Sequence, residues 1–255
     1  MAQISLNFTP EEEALINQEY QALVADYMAS PHRQKTEIIE QAFRLARRAH
    51  GLVRRRSGEP YILHPIAVAR IVCKEMGLGS TSICSALLHD VVEDTEYTVE
   101  DIRRGFGDKI AQIVEGLTKI SSEQVPQNID SLQAQNIRKL LLTIGDDARV
   151  ILIKIADRLH NMRTLGSMKP DKQLKIAGET YAPLADRLGL FSIKTELEDL
   201  SFRYEHPDAY DEIQRKVKES EAGREDLFHR FAAPLKARFD EMGLKYEMKT
   251  RVKGC

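Results

Sequence analysis

SALLHDVVEDT, residues 85–95, sets an adjacent His89-Asp90 pair and a second acidic pair, Glu93-Asp94, at the end of an apolar run. Read as one helix over Ser80–Val92, the run brings His89 and Glu93 onto one face and Asp90 and Asp94 onto the neighbouring stripe. An imidazole nitrogen beside carboxylate oxygens is a mixed donor set that suits manganese, iron or zinc. A cation held there makes water a nucleophile near neutral pH. Without one, three carboxylates on adjacent stripes repel each other. Two further donors flank the pair. His64 stands just before a helix opened by Pro65, and Asp157 lies inside the apolar stretch VILIKIADRLHNM, residues 150–162. A carboxylate in such a stretch needs a partner. A shared cation is one solution, and Lys154 or Arg158 is the other.

The surrounding pattern is helical. Thr9-Pro10-Glu11-Glu12-Glu13 combines a capping hydroxyl, a proline at the first position and acids against the positive end of the dipole, which predicts a helix to about Met28. Ile38, Ile39, Ala42, Phe43 and Ala46 predict a second helix. Gly51 to Leu63 reads as a loop rich in Arg, Gly and Pro. Thr98 with Asp101 forms a capping-box pattern, and a helix follows Gly107. Residues 123–130 read as a loop and Ser131–Ile144 as a helix. Val150–Ile155 is compatible with a buried strand, but its setting in an all-helical run favours a buried helix, on which Asp157, Asn161 and Thr164 share a face. Further helices are expected over Asp171–Gly189, Ser192–Tyr204, Asp208–Glu221 and Arg224–Met242, the last kinked at Pro234. Leu244, Tyr246 and Met248 alternate with charged residues and predict a strand. A lone strand needs a partner, so residues 196–255 are expected to be linker helices and the start of an unfinished α+β domain, after a helical domain over 1–195.

Composition narrows the classes. The chain has 255 residues, 42% hydrophobic and 30% charged, with a formal net charge of −2, so no basic field argues for nucleic acid or an anionic membrane. No apolar run approaches the roughly 20 residues that span a bilayer. The N-terminal stretch lacks the pattern of a signal peptide. Cys73, Cys84 and Cys255 form no CxxC pair, and a reduced, cytoplasmic setting is expected.

Each candidate site residue also has a plainer reading. Glu93 and Asp94 are the candidate general acid/base pair, one turn beyond the ligands, or else a solvated helix end that the dipole disfavours. Arg54, Arg55, Arg56 and Ser57 form a basic loop that can grip phosphate or simply face water. Asn161 and Thr164 can bind a ligand or cap the end of their helix. His160 and His206 carry no expectation. There is no P-loop, no GxSxG and no zinc-finger spacing.

RRRSGEPYILHP (54–65), LLHDVVEDT (87–95) and ILIKIADRLHNMRTL (151–165) closely resemble the hydrolase region of the RelA/SpoT synthetase/hydrolases, and FGDKIAQIVEGLTKI and YAPLADRLGL add to the likeness. The resemblance implies an all-α HD-type phosphohydrolase fold. It implies metal ligands His64, His89, Asp90 and Asp157, usually for Mn2+. It assigns Glu93 and Asp94 to the attacking water, and Arg55, Arg56, Ser57, Asn161 and Thr164 to the guanine nucleotide (p)ppGpp. Arg56 departs from the lysine common in relatives. The implied reaction removes the 3′-pyrophosphate of (p)ppGpp, giving GDP or GTP. KYEMKTRVKG resembles the first synthetase strand, so no synthetase activity is expected of this polypeptide. It is read as part of a longer bifunctional enzyme whose full length is expected to contact the ribosome. A different HD phosphohydrolase, or a nucleotide-binding regulatory role, are the alternatives.

Overall fold

The structure is a computed structural model that describes residues 8–32, 34–51, 53–122, 147–165 and 181–244. The chain divides into two compact units, Met1–Tyr204 and Glu205–Cys255. Among the described residues there is no strand, only an isolated antiparallel bridge between Arg54 and Pro60.

The first unit is built from α1 (Pro10–Met28), α2 (Thr36–His50), α3 (Leu63–Arg70), α4 (Ser80–Leu87), α5 (Val91–Asp94), α6 (Val99–Phe106), α7 (Asp108–Ser122), α8 (Ala148–Arg163), α9 (Ala182–Arg187) and α10 (Phe191–Glu205). The helix starts obey the local chemistry. Thr9 and Glu12 bond each other's backbone N–H groups, as do Thr98 and Asp101, so both capping boxes are closed. The stretch 150–155 is helical. All its residues but Leu152 and Lys154 are buried, as are Ala156, Asp157 and Leu159, so α8 is apolar on most of its circumference, which is why its period was ambiguous.

The core lies where α3, α4, α7 and α8 meet. α3 packs on α1, α4 and α8, while α4 also touches α2 and α7. α7 and α8 come close at Gly116, where a Cβ would stand 3.0 Å from Val150 Cγ2, so no side chain fits between them without displacement. After α3 the chain widens into a π-helical turn, Ile71–Glu75, closed by Met76 N–H donating to the Ile71 carbonyl at 3.2 Å.

Two expectations need correction. The helix over 80–92 is not continuous: α4 stops at Leu87, and Leu88, His89 and Asp90 form a turn before α5. His89 Nδ1 lies 2.7 Å from the Ala86 carbonyl oxygen. The ring thus engages a carbonyl near the end of the helix, where backbone acceptors lose their partners. Leu87, Leu88 and Val91 are buried on both sides of the break, so apolar content gave no sign of it. His89 and Glu93 therefore do not share a helix face. Asp90 and Asp94 keep their relation, because the Asp94 N–H donates to the Asp90 carbonyl at 2.9 Å.

In the second unit the two helices expected over 208–221 and 224–242 are one, α11 (Pro207–Glu241), with Pro234 inside it. An interior glycine such as Gly223 costs only about 1 kcal/mol relative to alanine, too little to end a long helix. Of the expected strand, Leu244 is outside any strand and 245–248 lie beyond the described residues. The loop over 123–130, the helix over 131–144 and most of the helix over 171–189 also fall outside them.

Asp147 caps α8. Its Oδ1 accepts from the Arg149 N–H at 3.0 Å, and its carboxylate also meets the Arg149 guanidinium and Lys109. The Arg149 hydrogen bond is the leading cause that holds the Asp147 carboxyl below the usual range. Asp147→Ala is expected to lower stability by about 1–2 kcal/mol at pH 7 in urea unfolding. Because the folded pKa is depressed, this contribution is full above about pH 4 and fades as pH falls through the lower folded value. A loss that stayed constant below pH 3 would contradict the account.

Candidate metal centre

Seven polar residues are buried among the described residues, and four of them, His50, His64, His89 and Asp157, gather in one place. Buried polar side chains are the informative ones. α3 supplies His64, the turn after α4 supplies His89 and Asp90, and α8 supplies Asp157. Donor atoms of His64, His89 and Asp90 all lie within 4.8 Å of one another. His64 Nε2 is 3.2 Å from Asp157 Oδ1 and 3.8 Å from Asp90 Oδ2. His89 Nε2 is 2.9 Å from Asp90 Oδ2 and 3.9 Å from Asp157 Oδ1. Ligand atoms bound at about 2.1 Å to one ion stand roughly 3–3.5 Å apart; two of these spacings match a shared cation, and the other two, at 3.8 and 3.9 Å, would have to close by a few tenths of an ångström.

The hydrogen bonds sharpen that fit. A carbonyl only accepts, so His89 Nδ1 must carry the hydrogen it gives to Ala86. In the neutral ring Nε2 is then a bare lone pair. This buried atom has no hydrogen-bond partner, although Asp90 Oδ2 stands 2.9 Å away. A lone pair facing an anionic oxygen repels it, and a cation between them removes the repulsion. With no cation, a proton can serve instead. Burial works against charge on His89, but Asp90 and Asp157 outweigh it and raise its pKa to about 9. A metal entering the site displaces that proton.

For the second carboxylate the lysine partner is present, and its other oxygen stays turned toward the imidazoles. Asp157 Oδ2 pairs with Lys154 Nζ at 3.3 Å, and Oδ1 faces the imidazoles and accepts from Asn161 Nδ2 at 2.8 Å. Burial pushes its pKa up, but the His64 hydrogen bond and the Lys154 charge hold it well below the ordinary carboxylate range.

Three residues at the site carried no sequence expectation. Tyr61 donates its hydroxyl to Asp90 Oδ2 at 2.5 Å and reaches Asp94 Oδ2 at 3.4 Å, bridging the ligand pair to the acidic pair. Burial first, then Asp90, pushes the phenol pKa up, so Tyr61 remains a donor. His50 lies against the Tyr61 ring at 4.6 Å, and burial lowers its pKa to about 4. His160 Nδ1 is 2.8 Å from His64 Nδ1. Position 160 lies three residues after Asp157 and four before Thr164, a spacing that places it near that face, which was the available signal. Asp94 is exposed but meets the site through the Tyr61 hydroxyl, and desolvation followed by the nearby Asp90 charge raises its pKa. Glu93 is exposed.

The basic loop splits in two. Arg55 N–H donates to the Glu59 carbonyl and Gly58 N–H to the Arg55 carbonyl, closing a tight turn with Gly58 at φ +92°. This geometry turns Arg55 inward, with its side chain 7% exposed, and leaves Arg56 and Ser57 exposed at the tip. Arg55 donates to Asn161 Oδ1 at 2.5 Å and Thr164 Oγ1 at 3.2 Å. Thr164 is also the C-cap of α8 and donates to the His160 carbonyl at 2.9 Å. Arg54 is held by Glu12.

Residues 42–191 match the sequence model of a known family, described as HD domain. The chain belongs to the HD domain family. Within it, the likeness is to the RelA/SpoT group. The chain is 42% identical over 230 residues to a guanosine-3′,5′-bis(diphosphate) 3′-pyrophosphohydrolase of Aquifex aeolicus, covering 89% of the chain and 32% of that protein. It is 44% identical over 218 residues to the bifunctional (p)ppGpp synthase/hydrolase SpoT of Escherichia coli, covering 84% and 31%. It is 43% identical over 219 residues to a GTP pyrophosphokinase rsh of Brucella abortus, covering 85% and 29%. The chain thus spans about a third of the length of the curated relatives it matches. A solved structure of a metazoan ortholog of SpoT, described as hydrolysing ppGpp, aligns with TM-score 0.51 at 24% identity over 66% of this chain and 96% of its own, a likeness of fold. No helix among the described residues is long and apolar enough to cross a membrane.

Calorimetric titration of the metal-stripped protein with manganese is expected to show a single tight site that Asp90→Ala abolishes. Tyr61→Phe removes only the hydroxyl that orients Asp90, and is expected to weaken the site by about 10-fold. Unchanged affinity in both variants would remove Asp90 from the ligand set.

Proposed function

We propose that this HD domain hydrolyses the 3′-pyrophosphate of ppGpp or pppGpp, giving GDP or GTP and pyrophosphate, with manganese as the cation. The observation that carries the reading is the convergence of His64, His89, Asp90 and Asp157, with the orphaned Nε2 of His89 at its centre. The activity for which relatives at 42–44% identity are named supplies the substrate class.

His64, His89, Asp90 and Asp157 would hold the cation. When bound, a divalent ion of this kind lowers the pKa of water and offsets phosphate charge. The chain's own residues handle the rest. Breaking the O3′–phosphorus bond by water requires one proton to leave the attacking oxygen and one to reach O3′. Asp94, its pKa raised by desolvation and by Asp90, would take up and release such a proton, and Tyr61 keeps it beside the ligand pair. Glu93, next to it and likewise exposed, is positioned to pass the proton to solvent. Arg55 has the planar fork that matches phosphate oxygens, and the exposed Arg56 and Ser57 can meet the base and ribose. Asn161 joins the two halves of the site, because it bonds Arg55 through Oδ1 and Asp157 through Nδ2.

The test is release of pyrophosphate from ppGpp with and without manganese. Chelation by EDTA is expected to abolish turnover and manganese to restore it. Asp94→Asn is expected to lower kcat by about 10²–10⁴-fold while the bound metal is retained. Full turnover in a metal-free protein, or in Asp90→Ala, would refute the mechanism. Equal hydrolysis of 5′-triphosphates lacking a 3′-pyrophosphate would move the domain to another substrate.

A further inference from the structure

The side chain at position 160 has no role in the reading above, yet it sits between the two functional clusters. His160 Nδ1 is 2.8 Å from His64 Nδ1 and 3.4 Å from Arg55 NH1. The ring is tilted against that of His64, with centroids 4.9 Å apart. Of two facing ring nitrogens, one must donate and the other accept.

Arg55 decides which. A guanidinium carries hydrogens and no lone pair, so its approach to His160 Nδ1 favours that nitrogen as the acceptor. His64 Nδ1 must then bear the hydrogen. A neutral imidazole protonated at Nδ1 has its lone pair at Nε2, and His64 Nε2 is the atom that faces Asp157 and Asp90. Ligand histidines commonly have their tautomer fixed by a partner at the other nitrogen, usually a carboxylate or carbonyl oxygen. His89 follows that rule through the Ala86 carbonyl. For His64 the partner is a second histidine.

We infer that His160 is a positioning residue which fixes His64 in the tautomer that offers Nε2 to a cation, and that Arg55 sets the direction of their hydrogen bond. The chain Arg55–His160–His64 therefore links the basic loop to the metal ligands through side chains alone. The inference rests on His64 being a ligand, and it is independent of the substrate.

Two isosteres separate positioning from simple filling of space. In His160→Asn the amide oxygen can take the place of Nδ1; in His160→Gln it is carried one bond further, toward the place of Nε2. Titration of the metal-stripped proteins is expected to show His160→Asn within about threefold of the unaltered chain and His160→Gln weaker by about 10–100-fold. Long-range proton–nitrogen NMR of the zinc-loaded unaltered chain and of His160→Asn is expected to show His64 protonated at Nδ1. Equal affinity of the two variants, whether both strong or both weak, would overturn the inference, as would a zinc-loaded His64 protonated at Nε2. His64→Ala is the control. If it keeps full metal affinity, the ligand assignment itself fails, an outcome distinct from the failure of His160 alone.

Discussion

The structure depends on an electrostatic conflict at its centre. Two carboxylates and two imidazoles point their electron pairs at a common space within the helical core. Taking an ionised group out of water costs several kcal/mol, and the conflict grows with each added carboxylate. Lys154 relieves one oxygen of Asp157, and Tyr61 satisfies one oxygen of Asp90. Tyr61 brings a hydrogen but no charge to the Asp90 oxygen that faces both rings, and Lys154 pairs with the Asp157 oxygen other than the one facing them. What remains is a demand for positive charge, met by a proton on His89 or by a divalent ion. The rest of the unit can be understood as the scaffold for that demand: α3, α4 and α8 pack on one another, and each delivers part of the donor set.

The break between α4 and α5 gives the donor set its geometry. On a continuous helix, residues 89 and 90 would point about 100° apart, and a single ion could scarcely meet both side chains. In the turn, their donor atoms come within 2.9 Å. Engaging the Ala86 carbonyl serves two ends, since it satisfies a group at the helix terminus and leaves Nε2 as the inward atom of the ring. Backbone termination and the inward aim of Nε2 are the same event here.

Much of this was legible in the sequence, for physical reasons that differ from element to element. The caps at Thr9 and Thr98 are short-range chemistry and read directly from residue type. The helical state of 150–155 followed from its neighbours, because burial on nearly all sides erased its own period. The donor set was visible as residue types in telling places, above all a carboxylate within VILIKIAD, although a neighbouring lysine explained that carboxylate equally well. The turn at 88–90 was hidden, because an apolar run gives no cue when both sides of a break are buried. Tyr61 and His160 were hidden for another reason: each acts on a residue distant along the chain, and only folding brings them within hydrogen-bond reach. The continuity of α11 shows the opposite error: two helices were expected where one runs on through Gly223, whose small energetic penalty does not end it.

The inward turn of Arg55 has a consequence for any anion that approaches this site. Its guanidinium already satisfies Asn161 and Thr164, so an incoming anion meets an arginine that is occupied. The guest must compete for those hydrogens or share them. Its observed affinity would be the difference between new contacts and surrendered ones. Such an exchange favours doubly charged phosphoryl oxygens, which outbid an amide or a hydroxyl, and disfavours neutral guests that merely match the shape.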